Sequence, residues 1–387
     1  MFFQNSIIEK LKKLPTPYYY YDVDVFELTI QKALQASKNI NGHIHYALKA
    51  NHQDRLLQIL AKYKIGADCV SKGEIEKAIK NGISVNNIVF AGVGKTDEEI
   101  LYALKEKIFC LNVESIQELE VINDIAKNLN TKAPIALRIN PNVDAYTHKF
   151  ITTGLTDNKF GINASDLNLA LNKLKQLKNI QLIGLHFHIG SQITDLSSFK
   201  NLCLKINELQ RYLEEKNIEV THLNLGGGLG INYMHPDEGL IPDFEAYFKV
   251  FYEFLERRHF QQLHFELGRS LVAQCGSLIT KVLYQKQSGN KHFLIVDSGM
   301  NHLIRPALYE AYHKIENISK YQHPAQQLYD VCGPICESTD CFGKNVLLPI
   351  TQRGDILAIR SAGAYGEVMA SDYNLRGLPN VYFSDEV

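Results

Sequence analysis

One lysine, several acids, two histidines, two arginines and a run of glycines stand out because each lies in or just after a short apolar segment. Lys49 closes IHYALK (44–49), Asp68 lies in ADCV (67–70), and Arg138 sits near the end of PIALRIN (134–140). His186 and His188 end QLIGLHFHIG (181–190), Gly226-Gly227-Gly228 closes HLNLGG (222–227), and Glu266 and Arg269 close LHFELG (263–268). A primary amine, a carboxylate, an imidazole, a guanidinium and a glycine-rich anion nest are the set that pyridoxal 5′-phosphate requires. A lysine forms the Schiff base, and a carboxylate keeps the pyridine nitrogen protonated so that the ring accepts electrons. An imidazole stacks on the ring, and backbone N–H groups cradle the phosphate.

Each residue also has a plain structural reading. Lys49 could be solvated, Arg138 could pair with Asp68 or Glu266, and Ser71 and Glu74 could serve only as helix caps. His186 reads as a satisfied core imidazole, the glycines as formers of a tight turn, and Cys336 as a small hydrophobe. Convergence on one face of the fold separates the two readings, since independent accidents scatter over both ends.

The elements that must position these groups follow from a recurring alternation between residues 43 and 268. The six segments above, with NIVFAG (87–92) and IFCLNV (108–113), make eight predicted strands. They are mostly continuous apolar runs, as expected of a parallel sheet covered on both faces. Between them lie helix signals: Phe199, Leu202, Ile206, Leu209 and Leu213 keep one apolar stripe. Ser71…Glu74, Thr96…Glu99 and Ser115…Glu118 have capping-box spacing directly after a strand. Eight strand–helix units over roughly 225 residues match a (β/α)8 barrel of about 250, in which polar residues at the carboxyl ends of the strands meet at one mouth. An open doubly wound sheet is the rival, but neither phosphate-loop signature fits. Gly226–Gly230 lacks the third glycine of G-x-G-x-x-G, and Val89 stands where the first glycine of a Walker loop before Gly94-Lys95-Thr96 belongs.

After about residue 270 short β-like pieces alternate with turns. The chain is therefore read as a barrel over 26–275 and a mainly β domain over 276–387, joined by an N-terminal strand within 1–25. Lysine and arginine number 41 against 42 aspartates and glutamates, so no basic excess points to nucleic acid or an anionic membrane. No apolar run is long enough to span a bilayer, and MFFQNSIIEKLKKLPTP lacks the order of a secretory signal. Seven scattered cysteines point to reduced thiols and a cytoplasmic location. A metal hydrolase using His186 and His188 as ligands is a rival of another class, but it leaves Lys49 and the glycine nest unexplained.

Long, ordered segments carry a resemblance as well. Tyr46-Ala47-Leu48-Lys49-Ala50-Asn51, Gly66 to Glu74, Arg138-Ile139-Asn140-Pro141, Lys159-Phe160-Gly161, His186 to Gln192 and Leu225 to Gly228 resemble the fold-type III pyridoxal-phosphate-dependent decarboxylases. The resemblance runs from about residue 18 to 376. It implies an α/β fold, an alanine racemase-like (β/α)8 TIM barrel with a mainly β C-terminal domain, and a homodimer with shared active sites. It also implies that Lys49 is the Schiff-base lysine, Glu266 the partner of the pyridine nitrogen and His188 the stacking ring. Ser191, Gly226, Gly227, Gly228, the turn Glu266-Leu267-Gly268-Arg269 and Tyr365 would hold the phosphate, with Asp68, Glu74 and Arg138 as supports. Cys336 would arrive from the partner subunit as proton donor. The family's Glu-Pro-Gly-Arg turn has Leu267 in place of proline, which adds an N–H and frees φ.

The segments Asp297 to Tyr309, Cys336 to Asp340 and Gly363 to Gly366 are similar to the branch of that family acting on meso-2,6-diaminopimelate. Such a substrate has a second carboxylate and a second ammonium at its far end. Arg269, Arg305, Tyr309 and Tyr365 would bind substrate, the arginines gripping the carboxylate through charge-assisted bonds, and Glu337 would take the ammonium. The expected reaction is decarboxylation to L-lysine. A carboxynorspermidine-type or ornithine-type decarboxylase is the alternative, and no metal is expected.

Overall fold

Short apolar runs pair side by side in the computed structural model, which describes residues 5–143 and 158–387. Eight of them form the barrel strands β1 (Gly42–Ala47), β2 (Gly66–Cys69), β3 (Ile88–Phe90), β4 (Cys110–Val113), β5 (Ala133–Asn140), β6 (Ile180–His186), β7 (His222–Asn224) and β8 (Gln262–Leu267). Each is parallel to the next, and β8 returns to β1 in the register Leu263↔Gly42 to Leu267↔Tyr46. The ring has no free edge. A two-residue strand, Ile162–Asn163, adds to the outer end of β5.

The helix signals hold, with informative detail. Thr96 and Glu99 form a complete reciprocal cap on helix Asp97–Glu106. Ser71 and Ser115 accept from the N–H groups of Glu74 and Glu118. The carboxylates of those glutamates, however, reach one residue further back, to the N–H groups of Val70 and Glu114. In helix Ser197–Glu215 the predicted stripe is buried except at Leu209, which lies at the rim. Asn207 and Gln210 are buried instead, and their amides bind the carbonyls of Phe254 and Glu256. Fixing a loop by hydrogen bonds wins there over apolar periodicity.

The chain divides into two compact units. The barrel unit is Ile30–Gly230 with Asp243–Gly268, and the other is Met1–Thr29, Ile231–Pro242 and Arg269–Val387. The second unit holds a sheet of β9 (Gly276–Ser288), β10 (Lys291–Val296), β11 (Ile315–Asn317), β12 (Gln327–Cys332), β13 (Cys341–Leu348) and β14 (Ile356–Ile359), in the order β11-β14-β9-β10-β12-β13. The N-terminal strand Tyr18–Tyr21 joins it, antiparallel to β9 and parallel to β15 (Asn380–Phe383). All four tyrosines are buried. Tyr18 and Tyr20 pack with Ile8, Leu11, Ile279, Ile318, Ile356 and Ala358 in an apolar cluster of this unit.

At the amino-terminal end of the barrel four imidazoles and a phenyl ring fill the space. His264 stacks on His43 at 5.1 Å and on Phe109 at 5.2 Å, and its ring centre lies 5.2 Å from that of His222. His45 Nε2 lies 2.9 Å from His264 Nδ1, so one of the two nitrogens must be a bare acceptor. No helix among the described residues is long and apolar enough to cross a membrane.

Candidate active site

At the other end of the barrel the sequence-predicted groups gather. Lys49 lies on a single 3₁₀ turn, Leu48–Ala50, just past β1 rather than in it, and its Nζ donates to Asp68 Oδ2 at 2.8 Å. Asp68 is fully buried in β2, and its Oδ1 has no partner among the described residues. Burial first, then the Glu266 charge, raises the Asp68 carboxyl to about 6 against the pull of Lys49.

Glu266 occupies the centre. Its Oε1 accepts from Asn224 Nδ2 at 2.7 Å and Asn112 Nδ2 at 3.2 Å, and its Oε2 accepts from His186 Nε2 at 3.0 Å. Burial disfavours its charge, but the neighbouring His186, its hydrogen bond and the Lys49 charge outweigh burial. Glu266 is therefore held well below the usual carboxylate range, an anion in the barrel interior. His188 accepts the Gly227 N–H on Nδ1 at 3.3 Å. Burial, with the Arg138 and Lys49 charges behind it, lowers His188 to about 3, so its ring is neutral.

Arg138 does not pair with Asp68 or Glu266, contrary to the structural reading of the sequence. Its Nη1 meets Glu114 Oε1 at 2.6 Å, and its guanidinium lies 4.8 Å from the centre of the Phe160 ring. Glu114 also accepts the N–H groups of Gly92 and Gly161, so this ion pair braces three loops at the mouth. Glu74 is raised to about 7 by burial and by Asp68. Lys95, of the failed Walker pattern, is a structural lysine held by Gly92 O, Asn112 O and Glu118.

Gly226 and Gly228 have φ of 68° and 104°. A Cβ at Gly226 would collide with Phe187 O, and one at Gly227 with Glu266 O, so both turn geometry and close approach demand glycine. Ser191 is half-buried and follows Gly190, whose carbonyl a Cβ at Gly228 would strike. Leu267 is the last residue of β8, fully buried and in register with Tyr46, so sheet pairing restrains the backbone that proline would have fixed. Gly268 follows, where a Cβ would press on Ala47 and Ala50.

The second unit holds its own cluster. Arg269 and Arg305 are both buried. Arg269 Nη1 donates to Tyr233 OH at 2.7 Å, Arg305 Nη2 reaches the same oxygen at 3.4 Å, and Arg305 Nε donates to His313 Nε2 at 3.2 Å. Tyr365 stacks on Arg269 at 4.8 Å, and Tyr309 lies 6.0 Å from Arg305. Among the described residues Arg305 has no carboxylate partner, and burial lowers its affinity for the proton. Cys336 and Glu337 are exposed, and Glu337 accepts from Tyr373 OH at 2.8 Å.

Sequence reasoning missed Asn112, Asn224, Glu114, Tyr233 and His313. The asparagines had a signal, since each interrupts an apolar strand segment (CLNV, HLNL) where the side chain must find a buried partner. The donors fit pyridoxal phosphate: an amine beside a carboxylate, an anionic Glu266 whose Oε2 can accept one more donor, a neutral imidazole and a glycine nest. The two histidines of the metal reading face different partners, and no group of three or more ligating side chains gathers among the described residues.

A parallel barrel with this amine, anion and neutral ring at its mouth defines an enzyme built around a pyridoxal cofactor. The model of the pyridoxal-binding domain of pyridoxal-dependent decarboxylases matches residues 27–273. Diaminopimelate decarboxylase of Bacteroides thetaiotaomicron is 54% identical over 98% of both chains. That of Campylobacter jejuni is 42% identical over 93% of this chain and 89% of its own. The crystal structure of the Helicobacter pylori diaminopimelate decarboxylase complexed with L-lysine superposes with a TM-score of 0.91 at 41% identity, covering 97% of this chain and 93% of that one. The chain belongs to the pyridoxal-dependent decarboxylases and, within them, to the diaminopimelate decarboxylase family.

Proposed function

We infer that this chain decarboxylates meso-2,6-diaminopimelate to L-lysine and CO2 with pyridoxal 5′-phosphate, the last step of lysine biosynthesis. The observation that carries the reading is the barrel mouth, where Glu266 is kept anionic by three donors beneath a lysine that rests on a single carboxylate. When bound, the cofactor supplies an electron sink for the bond that loses CO2. Lys49 would offer the amine that joins it, Glu266 would hold a proton on the pyridine nitrogen, and neutral His188 would pack against the ring. Asp68 and Arg138 brace these groups. Ser191, Gly226, Gly227, Gly228, Leu267, Gly268, Arg269 and Tyr365 hold the phosphate end.

For the substrate, Arg269, Arg305, Tyr309 and Tyr365 bind the far carboxylate, and Glu337 binds the far ammonium. Two buried guanidiniums in one aromatic cluster support this, because such a pair needs an anion that the described residues do not give Arg305. A barrel over 26–275, a β domain over 276–387 and the strand within 1–25 make one subunit of a cytoplasmic homodimer. Cys336 reaches the site from the partner subunit and returns the proton to Cα.

The test mixes purified protein with the cofactor and meso-diaminopimelate. One CO2 and one L-lysine are expected per substrate consumed, with L-ornithine used at least about 100-fold less efficiently, because it lacks the far carboxylate. A preference for ornithine would overturn the substrate assignment. Borohydride reduction of the loaded protein is expected to fix the cofactor on Lys49, and a label elsewhere would overturn the role of that residue.

A further inference from the structure

Cys332 and Cys341 have no part in the reaction above, yet they face one another. Cys332 ends β12 and Cys341 begins β13, and the two are register partners in an antiparallel pair. In a regular ladder such partners have Cα atoms roughly 4.5–5.5 Å apart, inside the range of about 4.4–6.8 Å that a disulfide bridges, and here the register shifts between Val331 and Cys332. Cys341 Sγ donates to Gly343 O at 3.4 Å, and both residues are half-buried. Between them runs the loop Gly333–Asp340, with exposed Cys336 on it. Asp340 anchors that loop by accepting the N–H groups of Met300 at 2.6 Å and Ile335 at 2.7 Å. The remaining cysteines, Cys69, Cys110, Cys203 and Cys275, are buried.

We propose that Cys332 and Cys341 are a redox-active pair that closes a reversible disulfide across the base of the Cys336 loop. The neighbouring Cys332 lowers the Cys341 thiol to about 7 and is itself raised, so Cys341 supplies the thiolate. The oxidant is a small-molecule disulfide such as oxidised glutathione. Cys341 Sγ attacks one of its sulfurs, the S–S bond breaks, and one glutathione thiolate leaves and takes up a proton. Cys332 then loses its proton, and its sulfur displaces the second glutathione from Cys341. Two protein thiols are oxidised to one disulfide while one glutathione disulfide is reduced to two thiols. The pairing stands whether or not Cys336 is the proton donor.

The test incubates the holoenzyme with millimolar oxidised glutathione and blocks free thiols with N-ethylmaleimide. Cleavage after Glu337 then puts Cys341 on one peptide and Cys332 with Cys336 on another. The expected product is a Cys332–Cys341 link, assigned by tandem mass spectrometry and reversed by dithiothreitol. The Cys336→Ser variant is expected to keep the link and to lose two alkylatable thiols per chain, whereas Cys332→Ser and Cys341→Ser lose the link altogether. A bridge running through Cys336, or no bridge in the wild-type protein, would overturn the proposal, and that mapping needs no variant to fold.

Discussion

Glu266 is ionised where burial alone would protonate it, because an imidazole N–H and two amide N–H groups converge on its oxygens. Glu266→Gln keeps the shape and removes the charge. Its kcat is expected to fall about 10²–10³-fold, the range for losing one preorganised electrostatic group, while cofactor absorbance is retained. Turnover within tenfold of the wild type would remove this residue from the chemistry. Arg305 tests the other end. Arg305→Met is expected to raise KM for meso-diaminopimelate about 10–100-fold, the worth of a charged hydrogen bond, and to leave cofactor affinity unchanged. Equal losses in both would point to a folding role instead. At this scale the sequence displayed residue types well and partners poorly. Lys49, His188 and Glu266 announced themselves as polar groups at the ends of apolar runs. That Arg138 takes Glu114 could not be read, since partner choice depends on which loops meet at the mouth.

Strands and turns set the geometry that those residues use. The nest at Gly226–Gly228 approaches the backbone of β8 so closely that a methyl group at Gly227 would enter the Glu266 carbonyl. Gly227→Ala must therefore move β8 or the nest. The expected cost is about 2 kcal/mol, in the range of an overpacked core site, and a melting temperature lower by roughly 4–8 °C. Cofactor affinity is expected to fall with it, and an unchanged melting curve would contradict the close approach. All eight barrel strands were legible because continuous apolar runs followed by capping signals recur with one rhythm. Their ends were not: Lys49 falls on a turn past its strand, and β7 stops at Asn224, before the glycines. Hydropathy does not mark where pairing stops. The excursion Ile231–Pro242, which brings Tyr233 to Arg269, carries no periodic signal at all.

For the molecule as a whole, the histidines at the closed end of the barrel tie folding to acidity. Burial lowers His45 to about 4 and His264 well below its ordinary value, and it lowers His43 and His222 as well. The unfolded chain takes up these protons near pH 6.5, whereas the folded barrel refuses them until lower pH. Their contribution is complete above pH 6.5 and is lost as pH falls towards 4. Asp68 and Glu74, raised to about 6 and about 7, work the other way with Asp22, Glu118 and Asp340, but His188, His302 and His313 are lowered too, so the histidines outnumber the carboxyls. Urea denaturation of the holoenzyme is expected to show stability falling by about 1.4 kcal/mol per pH unit for each net proton between pH 6.5 and 4.5. His264→Asn should flatten the slope, and a flat wild-type profile would exclude the effect. The strand Tyr18–Tyr21 carries a different lesson, about time. Its partners are β9 and residues 380–383. It leaves the ribosome before the barrel segments and residues 380–383 leave after them, so its four aromatic rings await that neighbour while the barrel is already free to close. Synthesis thus has a late step in which a strand made before the barrel gains a neighbour made after it.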